Sequence, residues 1–213
     1  MEYIPAKHLL HRSRSTEWFG IDHTMNLYRG CCHGCIYCDS RSSCYQNPDF
    51  DTVTAKADAL RILRDDLARK ARPALISMGA MSDPYNPFEK ELNLTRHALE
   101  LIDAYNCGVA AATKSDLIVR DIDVYQSIQR HSPVICKLTV TTADDGLAAR
   151  IEPRAPSPSR RLAALEKLSG AGIFSGVLLM PVLPDVYKRQ SLSYGRGTAD
   201  MRDRLLLTGI DWN

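Results

Sequence analysis

The chain lacks an apolar run long enough to cross a bilayer. Its longest, Ile173 to Leu183, is interrupted by Ser175, Gly176 and Pro181, whereas a spanning helix needs about 20 predominantly apolar residues. It also lacks a surplus of one charge. The 27 Lys and Arg against 25 Asp and Glu leave a formal net charge of +2, so long-range attraction to a nucleic acid or membrane is not implied, and only local patches stay open. The opening Met1-Glu2-Tyr3-Ile4-Pro5, followed by Lys7, His8, His11, Arg12 and Arg14, has no apolar core of a secretory signal. A cytoplasmic protein with no membrane partner is expected. Internal repeats and low-complexity segments are missing too, and 213 residues at 45% hydrophobic content suffice for one sizeable core.

What is present is a rhythm. Met25 to Tyr28 reads as a short strand that runs into a cysteine-rich loop. Ala55 to Arg69 carries Ala59, Leu60, Ile62, Leu63 and Leu67 at helical spacing, and Ala74 to Met78 is a compact apolar strand. The alternation continues with helices at Leu94 to Tyr105, Ile122 to Arg130 and Ser159 to Ser169, and strands at Val109 to Thr113, Val134 to Thr141 and Ile173 to Met180. Five strands alternating with four helices predict parallel strands and right-handed crossovers, in an open sheet or a full or partial barrel. Both architectures place chemistry at the carboxyl ends of strands. The polar segments there are the cysteine loop, Gly79 to Glu89, Thr113-Lys114-Ser115, and Thr139 to Arg154. From Asp185 onward neither period survives, so residues 1–184 are expected to form the core and 185–213 a tail without a regular barrel strand. That tail is either an irregular loop or a frameshifted or chimeric end in place of the remaining barrel.

Of seven cysteines, four fall between Cys31 and Cys38, and a chain of this size does not need disulfide staples; crowded thiols point to metal. Cys31-Cys32-His33-Gly34-Cys35-Ile36-Tyr37-Cys38 contains C-x3-C-x2-C, three thiols on one tight loop able to reach three corners of an iron–sulfur cube. Three ligands, where electron carriers recruit four, leave one iron open to a small molecule. The rival is a zinc site from Cys32, Cys35 and Cys38 with His33 or Cys44, although zinc sites usually divide their ligands between two separated pairs. Cys107 and Cys136 read as small buried hydrophobes, and Cys44 as a spare loop thiol.

The stretch Asn26-Leu27-Tyr28-Arg29-Gly30-Cys31 through Cys38-Asp39-Ser40-Arg41 closely resembles the cluster loop of the spore photoproduct lyase-like branch of radical S-adenosylmethionine (SAM) proteins. Ser82-Asp83-Pro84-Tyr85-Asn86-Pro87-Phe88-Glu89 with Thr95-Arg96, Thr113-Lys114-Ser115 with Arg120-Asp121, and Glu152-Pro153-Arg154-Ala155-Pro156-Ser157 with Arg161-Leu162 are similar to that branch's later signatures. The resemblance spans roughly Tyr3 to Pro184 and implies an α/β fold, a partial (β/α)6 TIM-like barrel with SAM across the carboxyl ends of its strands. It further implies a [4Fe–4S] cluster on Cys31, Cys35 and Cys38, whose open iron chelates SAM and whose electron breaks the sulfur–C5′ bond to give a 5′-deoxyadenosyl radical. On the same analogy Tyr37 borders the adenine, Ser82 and Asp83 approach the methionine amino group, and Lys114, Ser115, Thr139 and Glu152 line the nucleoside and methionine groups. The bland alternatives are a rigid Asp83-Pro84-Tyr85-Asn86-Pro87 turn, a solvated Lys114, and a surface Glu152–Arg154 pair of little energetic weight.

Cys31 and Cys32 both offer a ligand spacing to Cys35. Neighbouring side chains point apart, so one must turn away; the resemblance favours Cys31, with Gly30 and Gly34 supplying the backbone freedom to wrap the loop and Cys32 packing against the barrel rim. One departure bears on function: spore photoproduct lyases proper carry a hydrogen-donating cysteine three residues before the signature Asp, where this chain has Ala80. The leading expectation is therefore a SAM-cleaving radical enzyme of unspecified substrate, served by a reducing donor such as flavodoxin or ferredoxin. A shallow partial barrel also admits a nucleic acid or another macromolecule. A DNA-repairing spore photoproduct lyase, and an iron–sulfur or zinc protein without SAM chemistry, are the alternatives.

Overall fold

The computed structural model describes residues 1–14, 19–42 and 46–182. Short strands come first: β1 (Glu2–Ile4), β2 (Leu10–Arg12), β3 (His23–Met25), β4 (Tyr28–Arg29) and β5 (Thr54–Lys56). There follow α1 (Ala59–Ala68), β6 (Leu75–Met78), α2 (Glu89–Leu92), α3 (Leu94–Ala104), β7 (Gly108–Thr113), α4 (Ile122–Gln129), β8 (Val134–Thr139), α5 (Asp145–Ile151), α6 (Pro158–Gly170) and β9 (Ser175–Leu178). A 3-10 turn over Asp116–Asp121 leads into α4.

One sheet runs in the order β2-β3-β6-β7-β8-β9, and every pair from β3 to β9 is parallel, with β2 antiparallel on the β3 edge. These five parallel strands belong to the partial (β/α)6 barrel expected from the sequence. Their two faces differ by the period of two: on β8, Cys136 and Leu138 enter the hydrophobic core, whereas Lys137 and Thr139 face an open cleft. The core lies between the sheet and its helices. Helix α1 buries Ala59, Ile62, Leu63, Asp66 and Leu67, and α3 buries Thr95, Ala98, Leu99 and Ile102, each a stripe at helical spacing. Cys107 and Cys136 are buried as expected. Among the described residues no helix is long and apolar enough to cross a membrane.

Several boundaries need correction. The expected strand Met25 to Tyr28 is two strands with a corner at Asn26-Leu27: β3 joins the large sheet, while β4 pairs antiparallel with β5 in a second sheet of order β1-β5-β4. Ala55 and Lys56, expected to open a helix, lie instead in β5, which pairs with β1 and β4, and α1 begins only after Asp58 in a left-handed conformation (φ 52°). Three-residue strands carry no readable period, and their pairing is decided by distant residues. Helix α5 lies in what reads as loop; Asp144 caps it, accepting from the Leu147 amide at 3.0 Å. The tail expectation for 185–213 falls outside the described residues.

A buried carboxylate ties the amino-terminal strands to this frame. Asp66 on α1 accepts from the amides of Leu9 (2.7 Å) and Leu10 (3.1 Å) and contacts His8 at 3.0 Å. Burial alone would raise its pKa, but these bonds outweigh it and hold the carboxyl below its ordinary value. The stabilisation is therefore present above the unfolded carboxylate pKa of about 3.9 and is lost as pH falls through the lower folded value. Asp66→Asn is expected to weaken the wild-type loss of thermal stability on acidification, and midpoints of both proteins falling in parallel below about pH 4 would count against this account.

Candidate active site

The carboxyl ends of the barrel strands open onto a cleft of about 570 Å³, within the range of small-molecule sites, about 300–1,000 Å³. The cysteine loop forms one wall. Two positive-φ glycines fold it: at Gly30 (φ +81°) a Cβ would lie 2.2 Å from the Thr52 carbonyl oxygen, and at Gly34 (φ +73°) it would press on the Arg154 side chain. The Cys31 amide donates to the Phe50 carbonyl at 2.8 Å, and that of Cys38 to Cys35 at 3.2 Å. Cys31, Cys35 and Cys38 line the cleft. Cys32 packs, half-buried, against the hydrophobic core.

Burial pushes the Cys31 thiol up to about 12, with Asp83 adding to the shift, and burial raises Cys35 as well. Both stay protonated in the metal-free protein, so loading a metal must release protons. Among the described residues no three His, Cys, Asp or Glu side chains group as a single-ion site. Cys44 lies outside those residues.

Asp83 organises the wall that meets this loop. Its carboxylate accepts from the Tyr85 amide (2.9 Å), the Thr113 hydroxyl (2.5 Å) and the Lys114 amide (2.8 Å), and stands 3.4 Å from Nδ1 of buried His33. Burial lowers the His33 pKa, with Asp83 opposing. The Ser82 hydroxyl donates to the Tyr28 carbonyl at 2.9 Å. Lys114 reaches over the Tyr37 ring, its Nζ 5.6 Å from the centroid.

Of the residues singled out in the sequence, Cys31, Cys35, Cys38, Tyr37, Ser82, Asp83, Lys114 and Thr139 thus share one cleft. Ser115 and Glu152 stand behind its wall. Ser115 accepts from the Leu117 amide at 3.3 Å as the cap of the 3-10 turn, and Glu152 is buried against Arg161, Tyr37 and Thr141. The Glu152–Arg154 surface pair is absent from the described structure, because Glu152 turns inward to Arg161 while Arg154 meets Asp51 at 3.4 Å. Sequence reasoning missed Lys137. It is 4% exposed on the cleft side of β8, with Nζ 4.2 Å from the Phe19 ring centroid, and burial lowers its pKa to about 8. The readable signal was one lysine in the apolar run Val134-Ile135-Cys136-Lys137-Leu138, two residues before Thr139.

Fold and site together define an α/β partial-barrel protein with a three-thiol loop at the carboxyl ends of its strands. The model of the radical SAM superfamily matches residues 25–190, and the chain belongs to that superfamily. An uncharacterized protein of Methanocaldococcus jannaschii is 33% identical over 170 residues, covering 78% of this chain and 62% of the relative. Another of Mycobacterium tuberculosis is 31% identical over 171 residues, covering 77% of this chain and 50% of the relative. The chain thus spans half to three-fifths of these relatives' lengths. Spore photoproduct lyase complexed with dinucleoside spore photoproduct matches with a TM-score of 0.60, over 90% of this chain and 57% of that one, at 18% identity. That likeness is one of fold.

Superfamily membership brings a [4Fe–4S] cluster and SAM as cofactors. The residues present fit them. Thiolates are the ligands such clusters require, three thiols face one cleft, and the cleft beside them has room for a nucleoside-sized molecule.

Proposed function

We propose that this chain is the core of a radical SAM enzyme in which Cys31, Cys35 and Cys38 hold the [4Fe–4S] cluster and the adjoining cleft holds SAM. The observation that carries the reading is the meeting of these three thiols with Asp83, Lys114 and Thr139 around one cleft. When both are bound, the cluster supplies the electron that breaks the sulfur–C5′ bond of SAM, giving a 5′-deoxyadenosyl radical and methionine. The chain's own residues orient and enclose. Asp83 holds the Thr113 hydroxyl and the Lys114 amide and so turns Lys114 toward Tyr37; Tyr37, Ser82, Lys114 and Thr139 meet the polar and aromatic parts of SAM, while Ser115 and Glu152 act from behind. Residues 1–184 constitute the core in this reading, and 185–213 a tail outside it. A flavodoxin or ferredoxin delivers the electron, in the cytoplasm, where free thiols persist.

Ala80 lines the cleft, placing a methyl group where the thymine-dimer-repairing members of the resembling branch carry a hydrogen-donating cysteine. This favours a substrate other than the thymine dimer, and the openness of a partial barrel supports one as large as a macromolecule.

Anaerobic reconstitution with iron and sulfide, followed by dithionite and SAM, is expected to yield 5′-deoxyadenosine. Protein that takes up a full cluster yet releases none over many hours would overturn the proposal.

A further inference from the structure

We infer that Glu152, oriented by Arg161, is a positioning residue that sets the cysteine loop against the end of β8 through the hydroxyl of Tyr37. The inference rests on the function proposed above. Arg161 has no exposed surface, and its guanidinium donates to the carbonyls of Pro156 (2.7 Å) and Thr139 (2.9 Å) and to the Glu152 carboxylate. The other carboxylate oxygen of Glu152 accepts from the Thr141 hydroxyl at 2.6 Å and from the Tyr37 hydroxyl. The Tyr37 and Thr141 hydroxyls are themselves 2.8 Å apart.

One fully buried ion pair therefore joins two parts of the cleft that are remote in sequence. Arg161 holds the backbone of Thr139 on the β8 side, and Glu152 holds the tyrosine between Cys35 and Cys38. Two backbone bonds run beside this link: the Ile36 amide donates to the Ile151 carbonyl (2.9 Å) and the Arg154 amide to the His33 carbonyl (3.0 Å). Residues 33–37 are thereby strapped along residues 151–154. A buried ion pair adds little net stability compared with an apolar replacement, so its worth lies in the geometry it imposes. A molecule lying across the cysteine loop and Thr139 meets groups already fixed relative to one another, which is what productive orientation requires. Packing alone does not need the phenolic hydroxyl, since phenylalanine would fill the same space.

The test uses reconstituted wild-type, Tyr37→Phe and Glu152→Gln proteins. It compares iron content, thermal midpoint and the response of the reduced cluster's electron paramagnetic resonance spectrum to added SAM. Both variants are expected to load iron as the wild type does, and to need about tenfold to a hundredfold more SAM for half of the spectral change. Tyr37→Phe removes a single hydroxyl, which keeps the test decisive if Glu152→Gln folds poorly. Titrations that coincide with wild type in Tyr37→Phe would overturn the inference. So would weaker SAM response that merely tracks lost iron or a lowered midpoint, since that is a structural role. A wild-type spectrum indifferent to SAM would instead reject the proposed function on which the inference stands.

Discussion

Alanine at Cys31, Cys35 or Cys38 is expected to abolish both cluster binding and 5′-deoxyadenosine formation, whereas Cys32→Ser retains both within a few-fold. The distinction between adjacent thiols follows from where they point. Cys31 lies on the cleft wall beside Cys35 and Cys38, with its amide anchored to Phe50 and the preceding Gly30 held against Thr52. Cys32 packs against the core on the other side. A cluster held by three thiolates loses a corner with any one of them, and no spare thiol among the described residues lines this cleft. Because burial keeps Cys31 protonated up to about 12 without metal, ligation and proton release are coupled, and the proton release on reconstitution should be lost together with the cluster in each alanine variant. Iron content and SAM cleavage measured on all four variants provide the check; cluster loss in Cys32→Ser with retention in Cys31→Ala would reverse the assignment.

The parallel βα frame was legible because buried parallel strands read as apolar runs and the helices between them carry apolar stripes, whereas the choice of a partial barrel over an open sheet came from the resemblance. Val134 to Thr139 and Ala59 to Ala68 announce themselves in this way. The cysteine loop was legible because four thiols crowd between Cys31 and Cys38. Strands β1, β2 and β5 were not, since three residues such as Thr54-Ala55-Lys56 take their conformation from partners far along the chain. The site residues divide on the same ground. The resemblance singled out Lys114 and Thr139, and a position after a barrel strand places such residues near the cleft, but neither fixes side-chain direction. Ser115 turns to cap Leu117 and Glu152 turns to Arg161, and each choice is made by hydrogen-bond partners that no local pattern displays. Buried Lys137 and Arg161 defy the expectation that long cations stay in water. Their positions make sense only once Phe19, Thr139 and Pro156 are known to be beside them.

Replacing Glu89 by alanine is expected to cost about 3–5 kcal/mol of stability, because it leaves buried polar partners without their acceptor. Glu89, Thr95, Arg96, Arg120 and Asp121 belong to motifs that resemble a catalytic family's signatures, yet they assemble outside the cleft lining as one network around the buried Glu89, Thr95 and Asp121. The Glu89 carboxylate, with no exposed surface, accepts from the Tyr28 hydroxyl, the Thr95 amide (2.8 Å) and Arg120 (3.2 Å). Arg120 continues to Asp121 (2.7 and 2.8 Å) and Asn93 (2.9 Å), and Asp121 accepts from Tyr85 (3.0 Å) and Arg96 (3.2 Å). Burial and the neighbouring Glu89 push the Tyr28 phenol far above its ordinary pKa, so it stays a donor at any physiological pH. Since Arg120 retains Asp121, the loss falls mainly on Tyr28 and Thr95, and Glu89→Gln, which preserves an acceptor, should cost less, about 1–3 kcal/mol. Urea unfolding should show both as lowered midpoints with an unchanged slope. Glu89 touches no cleft residue in these bonds, so iron loading and SAM cleavage well below the midpoint should match wild type. A Glu89→Ala protein as stable as wild type, or one stable but unable to cleave SAM, would return this residue from the frame to the chemistry.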